Sequence, residues 1–317
     1  MEKITINTKK ETNDKIDLKQ IRERILDNTR SSVDLTGDYL DNLLFTLKDF
    51  RLSDGSRSNF HQSVINSINK MLPLKNDFEE FVKIIFKYQE TVNLDEFYDF
   101  FEKLITFLYK PKGQTSWTRI DFDNYKFFIY ELFLCFITTL LELKKYKEAS
   151  FYIHSQYFFS DNSNMFSHSN IGMFNHYIIS LDEIRNKELN LRRTSITADL
   201  IKERVSNEIN FIKIIETDLI LYYITTIENH PFSWFPRCSI YYPRFSKQIK
   251  LFERMVSLEQ FNRIKVLFRV RDISGLKEKI SNHTLRIEKG VQRHNDSFNH
   301  NIPFVKQIIN LDKIGSL

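Results

Sequence analysis

Glu131 is the side chain whose setting most demands an explanation. It stands among Phe127, Phe128, Ile129, Leu132, Phe133 and Leu134, where a carboxylate without a partner would be strongly unfavourable. A structural ion pair with an arginine from another helix is expected, with Arg119, Arg192 and Arg193 as candidates; a ligand-binding acid is the alternative. His154, His168 and His176 also cluster. Their gaps of 14 and 8 residues do not set two imidazoles one helical turn apart, as a shared metal would need. Loop and surface histidines are the expectation, with no metal and no cofactor. Cys135 and Cys238 have no zinc spacing, and Cys135 lies in an apolar run that suits a small buried thiol.

Two basic segments carry the binding chemistry. In LNLRRTSITADLIKERV, residues 189–205, Arg192 and Arg193 precede an expected helix start, Thr194, Ser195 and Thr197 are available as caps, and Lys202 and Arg204 follow. In WFPRCSIYYPRF, Arg237 and Arg244 interleave with Trp234, Phe235, Tyr241 and Tyr242, and Lys247 and Lys250 continue the run. Arginine beside aromatics serves protein interfaces and base-stacking nucleic-acid sites alike. A protein interface, or plain core packing, is the leading expectation. Phosphate contacts by Arg192, Arg193, Lys202, Arg204, Arg237, Arg244, Lys247 and Lys250 are the alternative. Charge placement fits both: net charge is +5, yet the window 237–293 alone carries +9, from 14 Lys/Arg against 5 Asp/Glu. An acidic partner surface or a polyanion suits that third.

The elements that position these residues follow from what the chain lacks. Seven Gly and six Pro in 317 residues fall far below the usual share of roughly 7% and 5%. Tight hairpins and glycine-built phosphate cradles need those residues, and no GxxxxGK, GxGxxG, HExxH, GxSxG or CxxC occurs. The chain must turn at Asn, Asp, Ser and Lys. An all-α protein is predicted: an irregular multi-helix bundle or solenoid-like stack of helical hairpins, with at most one minor β-hairpin near 235–245. The 29 Phe and 14 Tyr supply a continuous aromatic core.

Residues 1–14 read as a polar tail, 15–110 as an N-terminal helical region, 116–290 as a C-terminal helical domain packed on it, and 291–317 as a loosely ordered tail. A short helix is expected to end at Met71, before Pro73. Helical spacing places Phe78, Phe81, Val82, Ile85 and Phe86 on one inward face, and Phe97, Phe100, Phe101, Leu104, Ile105 and Leu108 on the next. The turn KKYKEA follows the apolar helix that carries Glu131. SQYFFSDNSNMFSHSN, 155–170, reads as a polar loop with embedded aromatics. Helices are expected over 197–205, 211–227, 247–268 and 274–287. The segment 126–143 is apolar, but Glu131 near its middle favours a buried core helix over a membrane span. The polar N-terminus has no leader-like apolar core, so a cytoplasmic, membrane-free setting is expected.

Two resemblances add to this. RHNDSFNH, with Arg293 seven positions before His300, resembles the R-x(4–6)-H signature of HEPN ribonucleases, which implies metal-independent RNA cleavage with His300 acting on the ribose hydroxyl. Separately, SWTRIDFDNYKFFIYELFL, LNLRRTSITADLIKERV and WFPRCSIYYPRF resemble a helical module that follows TIR-type effectors in bacterial antiphage and stress-response proteins. That resemblance spans about residues 20–285 and implies a sensor or scaffold, with chemistry supplied by another chain or domain. No catalytic residue carries over from it. The expected function is therefore a non-enzymatic interaction protein that binds a protein partner, an effector subunit or a second copy of itself. Nucleic-acid binding and ribonuclease activity are the alternatives.

Overall fold

The computed structural model describes residues 22–24, 27, 32–52, 59–89, 91–110, 117–160, 166–206, 208–242, 249–290 and 302–317. The tail 1–14, residues 111–116, Arg244, Lys247 and the Arg293–His300 pair lie outside the described residues. Helices α1 (Ser32–Leu47), α2 (Phe60–Tyr88), α3 (Leu94–Ile105), α4 (Asp123–Glu142) and α5 (Tyr146–His154) come first. After an antiparallel pair, β1 (Tyr157–Ser160) and β2 (Phe166–Ser169), follow α6 (Ile196–Glu203), α7 (Phe211–Ile227), α8 (Lys250–Glu253), α9 (Leu258–Ile264), α10 (Ile273–Glu288) and α11 (Val305–Ile308). The fold is all-α with one minor hairpin.

Helix α4 is the axis of the bundle. It packs on α2 on one side and α7 on the other, and its residues are buried around the whole circumference. Arg119–Glu142 is apolar and long enough to cross a membrane, but 89% of that apolar window is buried inside the protein. The inward faces of α2 and α3 meet it through aromatic rings. Phe97 and Phe136 stack at 5.4 Å, and Phe101 meets Phe133 edge-on at 5.1 Å. One continuous core takes in residues from Tyr39 to Ile314, so the regions 15–110 and 116–290 share it.

Turns without glycine are built as expected from Asn and Lys, and from Arg as well. Among the described non-glycine residues, Asn59, Lys144, Asn190, Arg192, Asn229 and Arg269 adopt positive φ. Lys144 and Asn229 each terminate a helix in the place that glycine usually takes. Lys144 N–H donates to Leu141 O and Lys145 N–H to Leu140 O, closing α4. Asn229 N–H donates to Thr226 O and His230 N–H to Thr225 O, closing α7.

The structure corrects four local expectations. First, α2 runs straight through Pro73. The proline removes the N–H that would meet the Asn69 carbonyl, but Arg204 lies over that turn, donating to Ile68 O at 3.1 Å and Asn69 Oδ1 at 3.4 Å. Second, the hairpin is at 157–169, within the expected polar loop. Tyr157 is buried while Phe158 is exposed, an alternation that suits a strand. Residues 237–241 form a 3-10 turn instead, because Cys238 N–H is taken by Asp218 Oδ2 at 2.7 Å. Third, 247–268 is divided: α8 leads into a 3-10 turn at Arg254–Val256, and Ser257 caps α9. Fourth, 302–317 packs into the core through Ile302, Val305, Ile308, Ile309 and Ile314. Its end is pinned where Gly315 N–H donates to Met255 O and Leu258 N–H to Leu317 O.

Candidate functional site

The basic and aromatic residues singled out in the sequence separate into buried braces and a surface patch. Arg204 belongs to the first group. It is 5% exposed and sits at the C-terminus of α6. Its guanidinium grips Glu131 in two parallel bonds, Nε–Oε1 at 2.8 Å and Nη2–Oε2 at 2.9 Å. The expected ion pair of Glu131 is therefore present, but its partner is Arg204 rather than Arg119, Arg192 or Arg193. Lys75 lies beside it, donating to Arg204 O at 2.9 Å and Glu79 Oε1 at 3.0 Å. Two cations and two carboxylates thus close a buried, charge-balanced network around Cys135. Its cavity of about 10 Å³ is the size of one water. Burial, reinforced by Glu79, pushes the Cys135 thiol well up, and burial, reinforced by Asp218, does the same to Cys238, so both free, buried cysteines are held as thiols.

Trp234, Arg237 and Tyr242 are buried as well. The organiser is Asp218 on α7. Its Oδ1 accepts from the Trp234 indole N–H at 2.6 Å and the Tyr130 hydroxyl at 3.0 Å, and its Oδ2 accepts from Cys238 N–H. Arg237 donates to Asn175 Oδ1 and, at 2.8 Å, to His176 O, with its guanidinium 5.3 Å over the Tyr130 ring. The segment that carries Trp234, Arg237 and Tyr242, residues 232–242, crosses against Gly172, where an added Cβ would lie 2.5 Å from Phe232 O. Arg204, Trp234, Arg237 and Tyr242 are therefore internal, and the expectation that they face a partner is corrected. The side-chain donors of Arg204, Trp234 and Arg237 are taken up within the fold.

What remains at the surface is compact. Arg193 forks onto Asp199, Nε–Oδ2 at 2.6 Å and Nη2–Oδ1 at 2.8 Å, and Nη2 also reaches the Tyr241 hydroxyl at 3.2 Å. The Tyr241 hydroxyl in turn donates to Asp199 Oδ1. Burial and the Asp199 carboxylate raise that phenol to about 12. Lys202 lies 4.4 Å over the Tyr241 ring, whose edge meets Phe211 at 5.5 Å. Backbone geometry fixes the arginine: Arg193 N–H donates to Asn186 Oδ1, and Asn186 Nδ2 donates to Arg193 O. Exposed Leu189, Leu191 and Ile212 flank these residues along the chain. Arg192 is exposed beside them, and Lys250 is exposed at a separate cleft.

Sequence reasoning missed Asp218, although an acid followed by the apolar run LILYYI carries a signal like that of Glu131. It also missed Lys75 and Glu79, a one-turn pair whose burial only the tertiary packing reveals. Two of the three clustered histidines differ from expectation: His168 is exposed, but His154 and His176 are partly buried. His154 Nε2–H donates to Leu267 O at 3.0 Å, and burial lowers both His154 and His176 to about 4. His230 is lowered in the same direction, again by burial first. Among the described residues no three His, Cys, Asp or Glu side chains are placed to hold a metal.

These imidazoles make stability pH-dependent. A depressed histidine favours the fold when neutral, so its contribution is full above about 6.5 and is lost as pH falls towards 4. Asp218, raised by burial to about 6, acts oppositely: its contribution is full below about 3.8 and is lost as pH rises through 6. Asp123 is raised in the same sense. The two imidazoles lowered to about 4 outweigh the one carboxyl raised to about 6, so a net loss on the order of 3 kcal/mol is expected between pH 6.5 and 4. Urea midpoints measured across that range should fall, and in a His154→Gln/His176→Gln variant, where the Asp218 contribution is left unopposed by these two, the fall should vanish or reverse. A flat or rising midpoint in the parent protein contradicts the assignment.

Comparison with protein-family models, with curated proteins and with solved structures finds no match for this chain.

Proposed function

We propose that this chain is a non-enzymatic interaction protein, a regulatory or scaffold partner in a bacterial defence or stress system. It meets a protein partner through the patch built on Arg193, Lys202 and Tyr241. The observation that carries this reading is the pre-organisation of the patch. Arg193, Asp199, Tyr241 and Lys202 are already locked by mutual bonds, so little side-chain freedom remains to be lost on association. Arg and Tyr are the residue types on which interface energy concentrates, and the flanking exposed aliphatics supply apolar area. The resemblance to modules that follow TIR-type effectors is what ties the partner to defence. The partner would act by binding one conformation of the assembly more tightly than another.

The nucleic-acid reading loses Arg204 and Arg237 to the interior and Arg193 to Asp199. A photoreactive amino acid at Ile212 tests the choice in cells of the source organism. A discrete protein adduct, a second copy of this chain included, that disappears with Leu191→Asp/Lys202→Glu is the expected result. An adduct with RNA or DNA hands the patch to the alternative, and no adduct at all removes the patch from the account.

A further inference from the structure

A second surface feature lies where the end of α4, the start of α5, the first half of α7 and α8 converge. It is a cleft of about 200 Å³. Four cations line it: Lys144, Lys213, Lys250 and Arg254. Two carboxylates line it too, but both are engaged. Glu216 and Glu142 bracket Lys213, whose Nζ lies 2.9 and 3.7 Å from them, and Glu216 also accepts from the Lys250 backbone N–H at 3.3 Å. That leaves Lys144, Lys250 and Arg254, all exposed, without a carboxylate partner among the described residues.

The floor adds a second, independent sign. Tyr146 lines the cleft with its side chain buried, and its hydroxyl has no hydrogen-bond partner among the described residues. A buried hydroxyl in that state is unfavourable unless a water or a ligand meets it, and in this cleft a ligand can. Tyr146 is also the first residue of α5, a helix with no side-chain cap at its N-terminus, and uncapped N–H groups favour negative charge. Lys144 is held at the rim by the left-handed turn that closes α4.

We propose that this cleft binds a compact phosphorylated small molecule. Lys144, Lys250 and Arg254 would hold its phosphate, and the Tyr146 hydroxyl would bond an oxygen of the same ligand. At this volume the site falls below the roughly 300–1,000 Å³ of drug-sized pockets, so inorganic pyrophosphate or a sugar phosphate is the right scale. The inference does not depend on the Arg193–Tyr241 patch.

Isothermal titration of the full chain at low salt, with inorganic pyrophosphate and separately with ribose 5-phosphate, tests it. Saturable binding that weakens as chloride is raised is expected. Lys250→Glu/Arg254→Glu should lower affinity about tenfold or more, from two lost charge-assisted contacts. Tyr146→Phe should lower it about fivefold, the worth of one hydrogen bond, while leaving the melting temperature unchanged or higher. Tighter binding of ribose 5-phosphate than of pyrophosphate marks a phosphate ester as the ligand, and the reverse order marks a bare polyphosphate. Binding of neither probe, or equal affinity in the charge-reversed variant, overturns the proposal.

Discussion

Replacing Arg204 with methionine is expected to destabilise the protein by about 3–5 kcal/mol, the usual loss when one member of a buried ion pair is removed. Glu131 would then sit 2% exposed among aromatic side chains with a negative charge and no counterion. The turn at Pro73 would lose the donor that covers Ile68 O, so the damage reaches α2 as well as α4. Removing both charges is a different matter. Glu131→Leu/Arg204→Met should be milder than Arg204→Met alone, because hydrophobic replacement of a whole buried pair is often neutral. Urea unfolding of the parent, the two single variants and the double gives the coupling directly. A loss below about 1 kcal/mol for Arg204→Met would mean that the pair is solvated, and the brace between α2, α4 and α6 would have to be abandoned.

Asp218→Ala is the second large effect. Three buried donors, the Trp234 indole, the Tyr130 hydroxyl and the Cys238 amide, would lose their common acceptor. Each unsatisfied buried group costs about 1–3 kcal/mol, so a loss of about 3–6 kcal/mol is expected at neutral pH, offset in part because a buried carboxylate no longer has to be ionised. Asp218→Asn should be less severe. Its one carbonyl can serve Trp234 and Tyr130, but its NH₂ would face the Cys238 N–H, donor against donor. The deficit of Asp218→Asn relative to the parent should widen as pH falls from 6 to 4, where the parent gains from protonating Asp218 and the amide cannot. A deficit that narrows over that range contradicts the raised carboxyl. Circular dichroism melts over a pH series distinguish the two.

Much of the helical framework was legible because apolar spacing depends only on local sequence. The inward set Phe97, Phe100, Phe101, Leu104 and Ile105 is buried as its spacing requires, and α7 spans the expected residues. Pairing was not legible. Glu131 announces that it needs a cation, but nothing near it names Arg204, 73 positions away. Pro73 argues for a helix end, yet α2 continues through it, packed along α4. Arg237 beside Trp234 and Tyr241 looks like a binding surface until Asn175 and His176 fold over its guanidinium. The hairpin at 157–169 did leave a trace, since Tyr157 and Phe158 alternate between core and solvent, but aromatics on both sides of a polar loop obscure the period of two. Of the aromatic and basic candidates, only those whose side chains find no internal acid or carbonyl, or find one at the surface, remain available to a partner.

The Trp234–Cys238 stretch is an internal buttress organised by Asp218. The two tryptophans allow a direct measurement, because Trp117 is half-exposed while Trp234 is fully buried. A Trp117→Phe variant reports Trp234 alone. Its fluorescence should be blue-shifted and scarcely quenched by acrylamide, at a level that rises only on unfolding. Emission at the wavelength of solvated indole with ready quenching in the native protein would show the crossing to be an exposed binding surface, contradicting the account.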